Sequence, residues 1–351
     1  MNVYIEGKSL IIEQDMKDIF NLRDDWQRFS GKSVLITGAA GLLAAYLVEF
    51  FAWLNQAWSD DPVRLYALAR DEKKLKDRFP YFISRSWFMP VIQDVCDPLL
   101  IETPIDFIIH AASPSSPKYY LQHPVSTIRT NTLGTLNMLE LARQKGARFL
   151  FMSSGAVYGH GDSQNAIDET DFGTQDPLEI YACYSESKRV CETLCAAYVR
   201  QYGVQAVIAR ISHTYGPGID LSDGRVFSDL LSDSLAGRDI KLHSQGTSSR
   251  PFCYIADATS AFLTLLLEGS AGDAYNVGMD SEITILDLAR LIASLSSREG
   301  TAVLLPEGDG ETTEIRASGH FDITKMKNLG WYPKTTPDIG FQRVLSHFRD
   351  I

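Results

Sequence analysis

Short apolar runs and longer segments of helical periodicity alternate along the first part of the chain. The short runs are rich in β-branched residues and lack polar alternation, which is typical of strands buried on both faces. Six strands are predicted: Ser33–Thr37, Val63–Ala69, Pro90–Gln93, Phe107–His110, Phe149–Met152 and Ala206–Ile211. The helical segments predict the helices Leu42–Trp58, Pro124–Lys145 and Tyr184–Tyr202. Strands that alternate with helices predict βαβ units in an α/β fold, a doubly wound parallel sheet of Rossmann type.

The pattern changes after Ile211. The stretch His213–Arg225 is rich in Gly, Asp and Pro, and the periodic segments beyond it are shorter. They predict a smaller mixed α/β lobe with three helices: Asp257–Glu268, Thr284–Ser297 and Asp322–Leu329. The predicted divisions are an N-terminal extension over residues 1–30 with a short strand and a helix, a Rossmann domain over 31–211, and mainly a substrate-binding lobe over 212–351. Because such folds bind ligands at the carboxyl ends of their strands, we expect the site beneath the second lobe.

Composition and charge narrow the classes of protein. The 351 residues are 45% hydrophobic and 22% charged, which is ordinary for a globular chain. The formal charge of −11 lacks the positive excess of a general nucleic-acid binder, so we expect no nucleic acid partner. No run is apolar enough to span a bilayer, and acids occupy the N-terminal positions where a secretion signal is cationic and then apolar. We therefore expect no membrane association.

The cysteines indicate the compartment. There are five, an odd number, and none forms a C-x-x-C pair, so they predict a reduced, cytoplasmic protein. Cys191 and Cys195 lie on one face of a predicted helix, where we expect two small buried side chains rather than metal ligands. The sequence predicts no metal site.

The first predicted strand leads into a glycine motif, Thr37-Gly38-Ala39-Ala40-Gly41-Leu42-Leu43-Ala44. Gly38 permits a tight turn, Gly41 lets the backbone approach a pyrophosphate, and Ala44 allows the helix to pack closely on the sheet. The helix N-terminus then faces the phosphates. Placed inside the first βαβ unit, the motif predicts a dinucleotide site that includes Gly38, Gly41, Leu42 and Leu43.

The end of the second strand bears on the choice of dinucleotide. The acid that holds the adenosine ribose of NAD is absent at its usual place, where Arg70 precedes Asp71. Arginine suits a 2′-phosphate, so NADP is an open alternative to NAD. In the other interpretation Arg70 is a solvated loop charge and Asp71 holds the ribose. Asp94, followed by Val95, is placed after the third strand either to bind the adenine amino group or to act as a turn residue.

A tyrosine and a lysine stand four residues apart at the start of the predicted helix Tyr184–Tyr202. That spacing places Tyr184 and Lys188 on one face of the helix. A phenol is a poor base near neutral pH, but a neighbouring ammonium and a cationic nicotinamide favour the phenolate. Tyr184 is therefore the predicted base that takes a proton from a sugar hydroxyl. Ser154, at the end of the fifth strand, is placed to hydrogen-bond the same oxygen.

Further motifs carry a resemblance to a known family. They are Ala112-Ser113-Pro114-Ser115-Ser116-Pro117 with Tyr120, Thr130-Asn131-Thr132-Leu133-Gly134-Thr135-Leu136-Asn137-Met138-Leu139, Cys183-Tyr184 with Lys188-Arg189, and Asp223-Gly224-Arg225-Val226. With them, about residues 31–345 resemble the extended short-chain dehydrogenase/reductases that act on nucleotide sugars. These stretches look most like the UDP-glucuronate decarboxylases.

The resemblance implies roles for particular residues. Ser154, Tyr184 and Lys188 form the implied catalytic set, and Arg250 and Arg316 the implied ligands of the substrate diphosphate, which guanidinium groups bind in a bidentate way. The other expected cofactor contacts are Val95, Ala111, Ala112 and Asn131, and the other expected substrate contacts are Ser113, Tyr120, His213 and Arg225. In relatives, the pair of helices that corresponds to Pro124–Lys145 and Tyr184–Tyr202 forms a dimer interface. A homodimer is therefore expected, with packing against the sheet as the alternative role of their apolar faces.

Two positions depart from the family pattern. Ala156 stands where dehydratases and decarboxylases of the family carry a glutamate, two residues before Tyr158, and His213 stands where an asparagine is usual. After oxidation at sugar C4, dehydration needs a positioned base and acid. Decarboxylation is less dependent on them, because the C6 carboxylate is β to the new ketone. Epimerisation needs least, because the keto sugar turns over and hydride returns to its other face.

These observations predict an NAD(P)-dependent enzyme acting on a nucleotide sugar with a UDP carrier. The first hypothesis is a 4-epimerase, and the alternatives are a UDP-glucuronate decarboxylase, then an NADPH-dependent 4-keto-sugar reductase or a 4,6-dehydratase. A dinucleotide-binding sensor is the alternative from a different class, although such a protein has no need of the pair Tyr184 and Lys188.

Overall fold

Seven parallel strands form the central sheet of the computed structural model, which describes residues 9–57, 60–159, 166–296, 298–307 and 320–349. The strand order is β11-β6-β5-β4-β1-β2-β3. The bounds are β1 Ser33–Thr37, β2 Arg64–Ala69, β3 Phe88–Ile92, β4 Phe107–His110, β5 Arg148–Met152, β6 Ala206–Ile211 and β11 Ala274–Val277. The chain steps outward from β1 to β3 and then returns to pair β4 with the other side of β1. The switch point between β1 and β4 is where doubly wound sheets bind ligands.

The sequence predicted six of these strands, and the bounds of β1, β4 and β6 are those expected. It missed β11, which extends the sheet beside β6. This strand belongs to the predicted C-terminal lobe, so the sheet recruits chain from beyond residue 211. The division of the chain at that residue stays a prediction.

Helices cover both faces of the sheet, and the three predicted for the Rossmann part are present. The described helices are α1 Leu10–Phe20, α2 Leu42–Ala57, α3 Glu72–Arg78, α4 Pro117–Gln122, α5 Pro124–Lys145, α6 Ala182–Tyr202, α7 Val226–Leu235, α8 Ile255–Glu268, α9 Ile285–Ser294, α10 Thr324–Asn328 and α11 Pro337–Arg349. The predicted helix ends at Trp58 and Ser297 lie outside the described residues. Short helices such as α3 and α4 escaped the sequence pattern, because one or two turns give too little periodicity. Within the described ranges, we find no helix with the length and apolar character needed to cross a bilayer.

The N-terminal extension packs into the body of the protein. Its predicted helix is α1, but residues 9–30 contain no strand, and a 3-10 turn at Trp26–Phe29 follows the helix instead. Asp15 on α1 is fully buried and accepts hydrogen bonds from the hydroxyl groups of Tyr46 and Tyr254, at 2.8 and 2.7 Å. The guanidinium of Arg343 on α11 lies 2.6 Å from its other oxygen. One carboxylate therefore joins the extension to α2, to α11 and to the start of α8.

The C-terminal part contributes three short ribbons beside the sheet. Their strands are β7 Thr214–Tyr215 with β10 Cys253–Tyr254, β9 Ser249–Arg250 with β12 Ile283–Thr284, and β8 Ile240–Lys241 with β13 Val303–Leu304. The amide of Cys253 also donates to the carbonyl of His213. These ribbons carry two of the residues expected to contact substrate, His213 and Arg250.

Candidate active site

The loop between β1 and α2 forms a cradle with the chain that follows β4. Gly38 has a φ of +66°, and a Cβ there would lie 2.9 Å from the Cα of Ala112. The amide of Gly41 donates to the carbonyl of Gly38 at 2.8 Å, and α2 begins at Leu42. Leu43 follows within the first turn, whose free N–H groups suit phosphate oxygens. The geometry accounts for both glycines: one adopts a conformation that favours glycine, and the other closes the turn.

Two buried polar atoms near this cradle have no partner among the described residues. They are Oγ of Ser113, one residue beyond Ala112, and Oδ1 of Asn131 on α5. The amide nitrogen of Asn131 donates to Oγ of Ser187 on α6 at 2.7 Å. Unpaired buried acceptors and donors are costly unless a ligand meets them, so these atoms fit a bound dinucleotide. Val95 is buried, and a Cβ added at Gly134 of α5 would lie 2.7 Å from its side chain, so that side chain faces α5.

At the carboxyl ends of β2 and β3, Arg70 lies beside Asp94, with Nη1 3.8 Å from Oδ2. Burial raises the pKa of Asp94, but hydrogen bonds from Cys96 and the charge of Arg70 hold it below its usual range. Asp71 is the N-cap of α3, where its side chain accepts from the amide of Lys74 at 2.9 Å. Of the two interpretations of this turn, the geometry gives Asp71 a structural role and leaves Arg70 and Asp94 at the rim of the site.

Ser154, Tyr184 and Lys188 lie together, as the sequence predicted. Ser154 is the N-cap of the 3-10 turn Gly155–Tyr158, and its hydroxyl lies close enough to the phenol of Tyr184 to favour the phenolate. The ammonium of Lys188 is buried, donates to the carbonyl of Met152 at 2.7 Å and lies 5.9 Å from the centre of the Tyr184 ring. It also lies 4.9 Å from the ring centre of Phe151, so β5 supplies its surroundings.

Burial shifts both titrating groups toward their neutral forms. It raises the pKa of Tyr184, while the hydrogen bond with Ser154 and the charge of Arg225 act in the opposite direction. It lowers the pKa of Lys188 to about 8, against the raising effect of Cys191, Glu192 and Cys195. The two pKa values thereby move apart, so the phenol keeps its proton here, and the added positive charge of a bound nicotinamide would favour the phenolate.

Tyr120 and Arg225 complete the wall around the phenol. The ring of Tyr120 on α4 stacks on that of Tyr184. Arg225 forms an ion pair with Asp223 at 3.2 Å, and its charge acts on Tyr184. The carbonyl of Asp223 in turn accepts a hydrogen bond from the hydroxyl of Ser116, just before α4. The loop that ends at Arg225 is thus tied to the segment that carries Tyr120.

His213 and Arg250 form the predicted diphosphate end of the cleft. Desolvation by neighbouring groups and the charges of Arg250 and Arg225 lower the pKa of His213, so the imidazole of this solvent-exposed residue is neutral near pH 7. Its ring lies 5.9 Å from that of Phe252. A neutral imidazole beside a guanidinium can donate one hydrogen bond to a phosphate oxygen, as an asparagine would. Arg316, the other expected ligand, lies outside the described residues.

Ala156 occupies the position, two residues before Tyr158, at which a glutamate was expected, so this position supplies no carboxylate. Its amide is bonded to Oγ of Ser154 at 3.2 Å. Glu186, an acid two residues after Tyr184, forms an ion pair with Arg189 at 3.3 Å. Among the described residues, Arg225 is the charged group that acts to lower the pKa of the Tyr184 phenol.

Sequence reasoning missed a partly buried polar network beside Ser153. Arg210 on β6 forms a two-pronged ion pair with Glu192 on α6, with a shortest distance of 2.8 Å. Glu192 also accepts from the hydroxyl of Ser153 at 2.6 Å, and Arg210 donates to the hydroxyl of Tyr158 at 3.1 Å. The sequence did contain a sign of this network, because Arg210 lies inside an apolar strand and an arginine there needs a charged partner.

Comparison with known proteins identifies the family. A sequence profile described as "NAD dependent epimerase/dehydratase family" matches residues 34–278. The chain belongs to that family. Among relatives of this epimerase/dehydratase, UDP-glucuronic acid decarboxylase 5 of Arabidopsis thaliana is 35% identical over 321 residues, which cover 91% of this chain and 90% of the relative. UDP-glucuronic acid decarboxylase 1 of Danio rerio is 35% identical over 318 residues, which cover 90% of this chain and 72% of the relative.

Solved structures confirm the fold. The UDP-glucose 4-epimerase of Thermotoga maritima, solved with UDP-glucose, has a TM-score of 0.76 at 21% identity, over 91% of this chain and 99% of that one. DesIV of Streptomyces venezuelae, a dTDP-glucose 4,6-dehydratase solved with NAD and TYD, has a TM-score of 0.75 at 24% identity, over 91% and 97%. The predicted Rossmann-type α/β fold is therefore correct, and the chain is an NAD-dependent enzyme of the epimerase/dehydratase class.

Proposed function

We propose that this enzyme is a 4-epimerase of UDP-sugars. The observation that carries the proposal is a complete set of Ser154, Tyr184 and Lys188 beside Ala156, a position that supplies no second acid–base group. The set supports proton removal from a sugar hydroxyl, and among the described residues no carboxylate acts on the Tyr184 phenol. Epimerisation is the reaction of this class that needs least beyond that set.

NAD, bound on the cradle around Gly38 and Gly41, supplies the chemistry of accepting a hydride from sugar C4 and returning it. The protein's own residues handle the proton. The phenolate of Tyr184 takes the proton from O4, and Ser154, whose hydroxyl acts on that phenol, holds the same oxygen. The charge of Arg225 and that of the buried Lys188, 5.9 Å from the Tyr184 ring centre, favour the phenolate in surroundings that screen charge less than water does. On return of the hydride, Tyr184 gives the proton back to O4.

Recognition of the carrier falls to the diphosphate end. Arg250 offers charge and His213 offers a neutral hydrogen-bond donor, so two chemically different groups meet the phosphate oxygens. The charge of Arg225 also acts on His213, so positive charge surrounds the neutral donor. Such a site suits a diphosphate that must stay in place while the keto sugar turns over beneath it.

Decarboxylation of UDP-glucuronate is the second candidate, and two observations favour it. The curated relatives at 35% identity are named UDP-glucuronic acid decarboxylases. Arg225 places a positive charge close enough to Tyr184 to act on the phenol, at the sugar end of the site. A guanidinium there suits a sugar carboxylate. A uronate is therefore the first substrate to test for either reaction.

We also propose that the enzyme is a homodimer through α5 and α6. Both helices expose apolar side chains, among them Val125 (69% exposed), Ile128 (43%) and Leu136 (39%) on α5 and Val190 (48%) on α6. The two helices pack along each other on one face of the sheet. Contiguous apolar surface of this kind is typical of a protein–protein interface.

The deciding experiment follows UDP-glucose, UDP-N-acetylglucosamine and UDP-glucuronate by proton NMR with the purified enzyme. A 4-epimer with conserved carbon count supports the proposal. Release of carbon dioxide and formation of a UDP-pentose or a 4-keto pentose contradicts it in favour of decarboxylation. Tyr184→Phe is the matched control: an enzyme loses about 10²-fold or more in turnover, whereas a dinucleotide sensor is indifferent.

A further inference from the structure

A chain of buried hydrogen bonds runs beneath the proposed site from β1 to α6. Thr37 and His110 are register partners at the ends of β1 and β4, and Oγ1 of Thr37 lies 2.8 Å from Nδ1 of His110. Nε2 of His110 lies 3.1 Å from Oγ1 of Thr135 on α5. Thr135 donates to Sγ of Cys191 on α6 at 3.2 Å, and Cys191 donates to the carbonyl of Asn131 at 3.2 Å. All five side chains are buried.

The partners of Thr37 fix the direction of every bond in this chain. The amides of Ala111 and Ala112 donate to Oγ1 of Thr37 at 3.1 and 3.0 Å, which uses both lone pairs of the hydroxyl oxygen. The hydroxyl proton must then go to Nδ1 of His110. Nδ1 is therefore the acceptor and Nε2 carries the proton that is donated to Thr135. The opposite tautomer would give Thr37 a third donor and leave Thr135 without one.

The surroundings of His110 keep it uncharged. Burial, together with the charge of Lys188, lowers its pKa to about 3. Its ring stacks on that of Phe151 with 5.9 Å between centres, and the ammonium of Lys188 lies over the same Phe151 ring. The imidazole therefore belongs to the packing that surrounds Lys188 as well as to the hydrogen-bond chain.

The chain of hydrogen bonds ends at the two halves of the proposed site, which are the dinucleotide cradle and the part of α6 that carries Lys188. At one end, Ala111 and Ala112 form the wall against which Gly38 packs. At the other, Asn131 accepts from Cys191 and donates to Ser187, so it contacts α6 on both sides of Lys188. If either half moves, one of these buried hydrogen bonds must break. A buried donor or acceptor that is left without a partner costs free energy of folding.

We propose that His110, as the tautomer protonated on Nε2, is a positioning residue that holds Lys188 in register with the dinucleotide cradle through this chain. The inference rests on the catalytic role proposed above for Tyr184 and Lys188. His110 lies behind the cradle, so it acts through Thr37 and Thr135 and touches neither ligand. Its effect falls on the rate of the chemical step more than on substrate binding, because a misplaced ammonium costs transition-state stabilisation.

The first test is spectroscopic and needs no turnover. The protein has seven histidines, so ¹⁵N-histidine labelling gives a tractable spectrum, and loss of one spin system in His110→Asn assigns the ring. We expect the tautomer with the proton on Nε2 near neutral pH. A proton on Nδ1, or fast averaging between the two tautomers, overturns the proposal even if the reaction is assigned correctly.

The second test separates kcat from KM. We expect Thr135→Val, which removes the hydroxyl at nearly constant volume, to lower kcat about 10-fold while the KM for the sugar nucleotide changes less than about twofold. Thr127→Val is the matched control: Thr127 is a fully buried threonine of the same helix whose hydroxyl bonds only to His123 within the described structure, and it should keep wild-type kcat. Equal loss in the two variants contradicts the proposal.

A double variant tests whether the residues form one chain. His110→Phe keeps an aromatic ring but removes both bonds, and adding Thr135→Val should cost little more than His110→Phe alone. If the two substitutions lower kcat by independent factors, so that their losses multiply, the residues do not form one chain and the proposal is contradicted. If His110→Phe fails to fold, Cys191→Ala takes its place, because it breaks the chain beyond Thr135. If Tyr184→Phe retains full turnover, the proposed function fails, while the tautomer measurement still tests the chain.

Discussion

The ring of Tyr120 lies almost parallel to that of Tyr184, with 5.3 Å between ring centres and 13° between planes. Tyr120 belongs to α4 and Tyr184 to α6, so the stack joins the segment after β4 to the catalytic helix. Burial raises the pKa of Tyr120 to about 12, with a further contribution from Tyr184, so this phenol stays neutral. Tyr120 therefore positions the proposed base by contact and does not compete with it for the proton.

We expect Tyr120→Leu to lower kcat several-fold, because a stacked aromatic pair contributes about 0.5–1.5 kcal/mol beyond the area it buries. Tyr120→Phe keeps the stack and should retain most of the activity. Steady-state kinetics of the two variants, with the substrate that the NMR screen identifies, make the comparison. Equal activity of the Leu and Phe variants would show that the stack has no positioning effect.

Gly38→Ala should abolish tight cofactor binding. The substitution places a side chain at a φ of +66° and a Cβ 2.9 Å from the Cα of Ala112, so the cradle must open. The measurement is the amount of NAD released by denaturing the purified protein, supported by calorimetric titration with NAD. Gly146→Ala is the control, because that glycine also has a positive φ, +63°, but ends α5 with nothing within 4 Å of an added Cβ. Loss of NAD in both variants would contradict the role of the cradle.

The buried carboxylate of Asp15 should give stability a distinctive pH dependence. Burial raises its pKa from 3.8 to about 6, against the lowering effect of Tyr254, Tyr46 and Arg343. For an acid, a raised folded-state pKa means that the folded state binds more protons, so this contribution is greatest below pH 3.8 and is lost as pH rises through about 6. Wild type therefore loses, relative to Asp15→Asn, up to about 3 kcal/mol of unfolding free energy between about pH 4 and about pH 7.

Urea denaturation of wild type and Asp15→Asn across that range makes the measurement. Asp18→Asn is the control, since Asp18 is a more exposed acid on the same helix that contacts the same Arg343 at 2.9 Å. A difference between wild type and Asp15→Asn that stays constant with pH would show that Asp15 is ionised to the same extent in both states.

The proposed dimer interface predicts a response to charge. Leu136→Glu combined with Val190→Glu should shift the protein to monomer, because two carboxylates on the exposed faces of α5 and α6 cannot be buried against a partner without large cost. Sedimentation velocity at micromolar concentration measures the change. Leu305→Glu, at an apolar residue 45% exposed outside these helices, should leave association unchanged. A wild type that is already monomeric would remove the dimer proposal.

Local patterns predicted much of the fold and the heart of the site. The bounds of β1, β4 and β6 follow from apolar runs, because a strand buried on both faces is largely apolar. The pair Tyr184 and Lys188 follows from a spacing of one helical turn, which depends on nothing outside the helix. The burial of Cys191 and Cys195 was also predicted correctly. The short strand expected in residues 1–30 is not among residues 9–30, which form α1 and a 3-10 turn, and it stays a prediction for residues 1–8, which lie outside the described residues.

The sequence by itself determined the parallel sheet, the glycine turn and the tyrosine–lysine pair, since each depends on residues near one another in the chain. Only the tertiary structure decided that β11 completes the sheet, that Asp15 is buried beneath Arg343, and that His110 links Thr37 to Thr135. These relationships join residues far apart in the chain, and their energetics depend on the exclusion of water. Burial decides whether an aspartate or a histidine is a solvated charge or a fixed hydrogen-bonding group, and burial is a property of the folded chain.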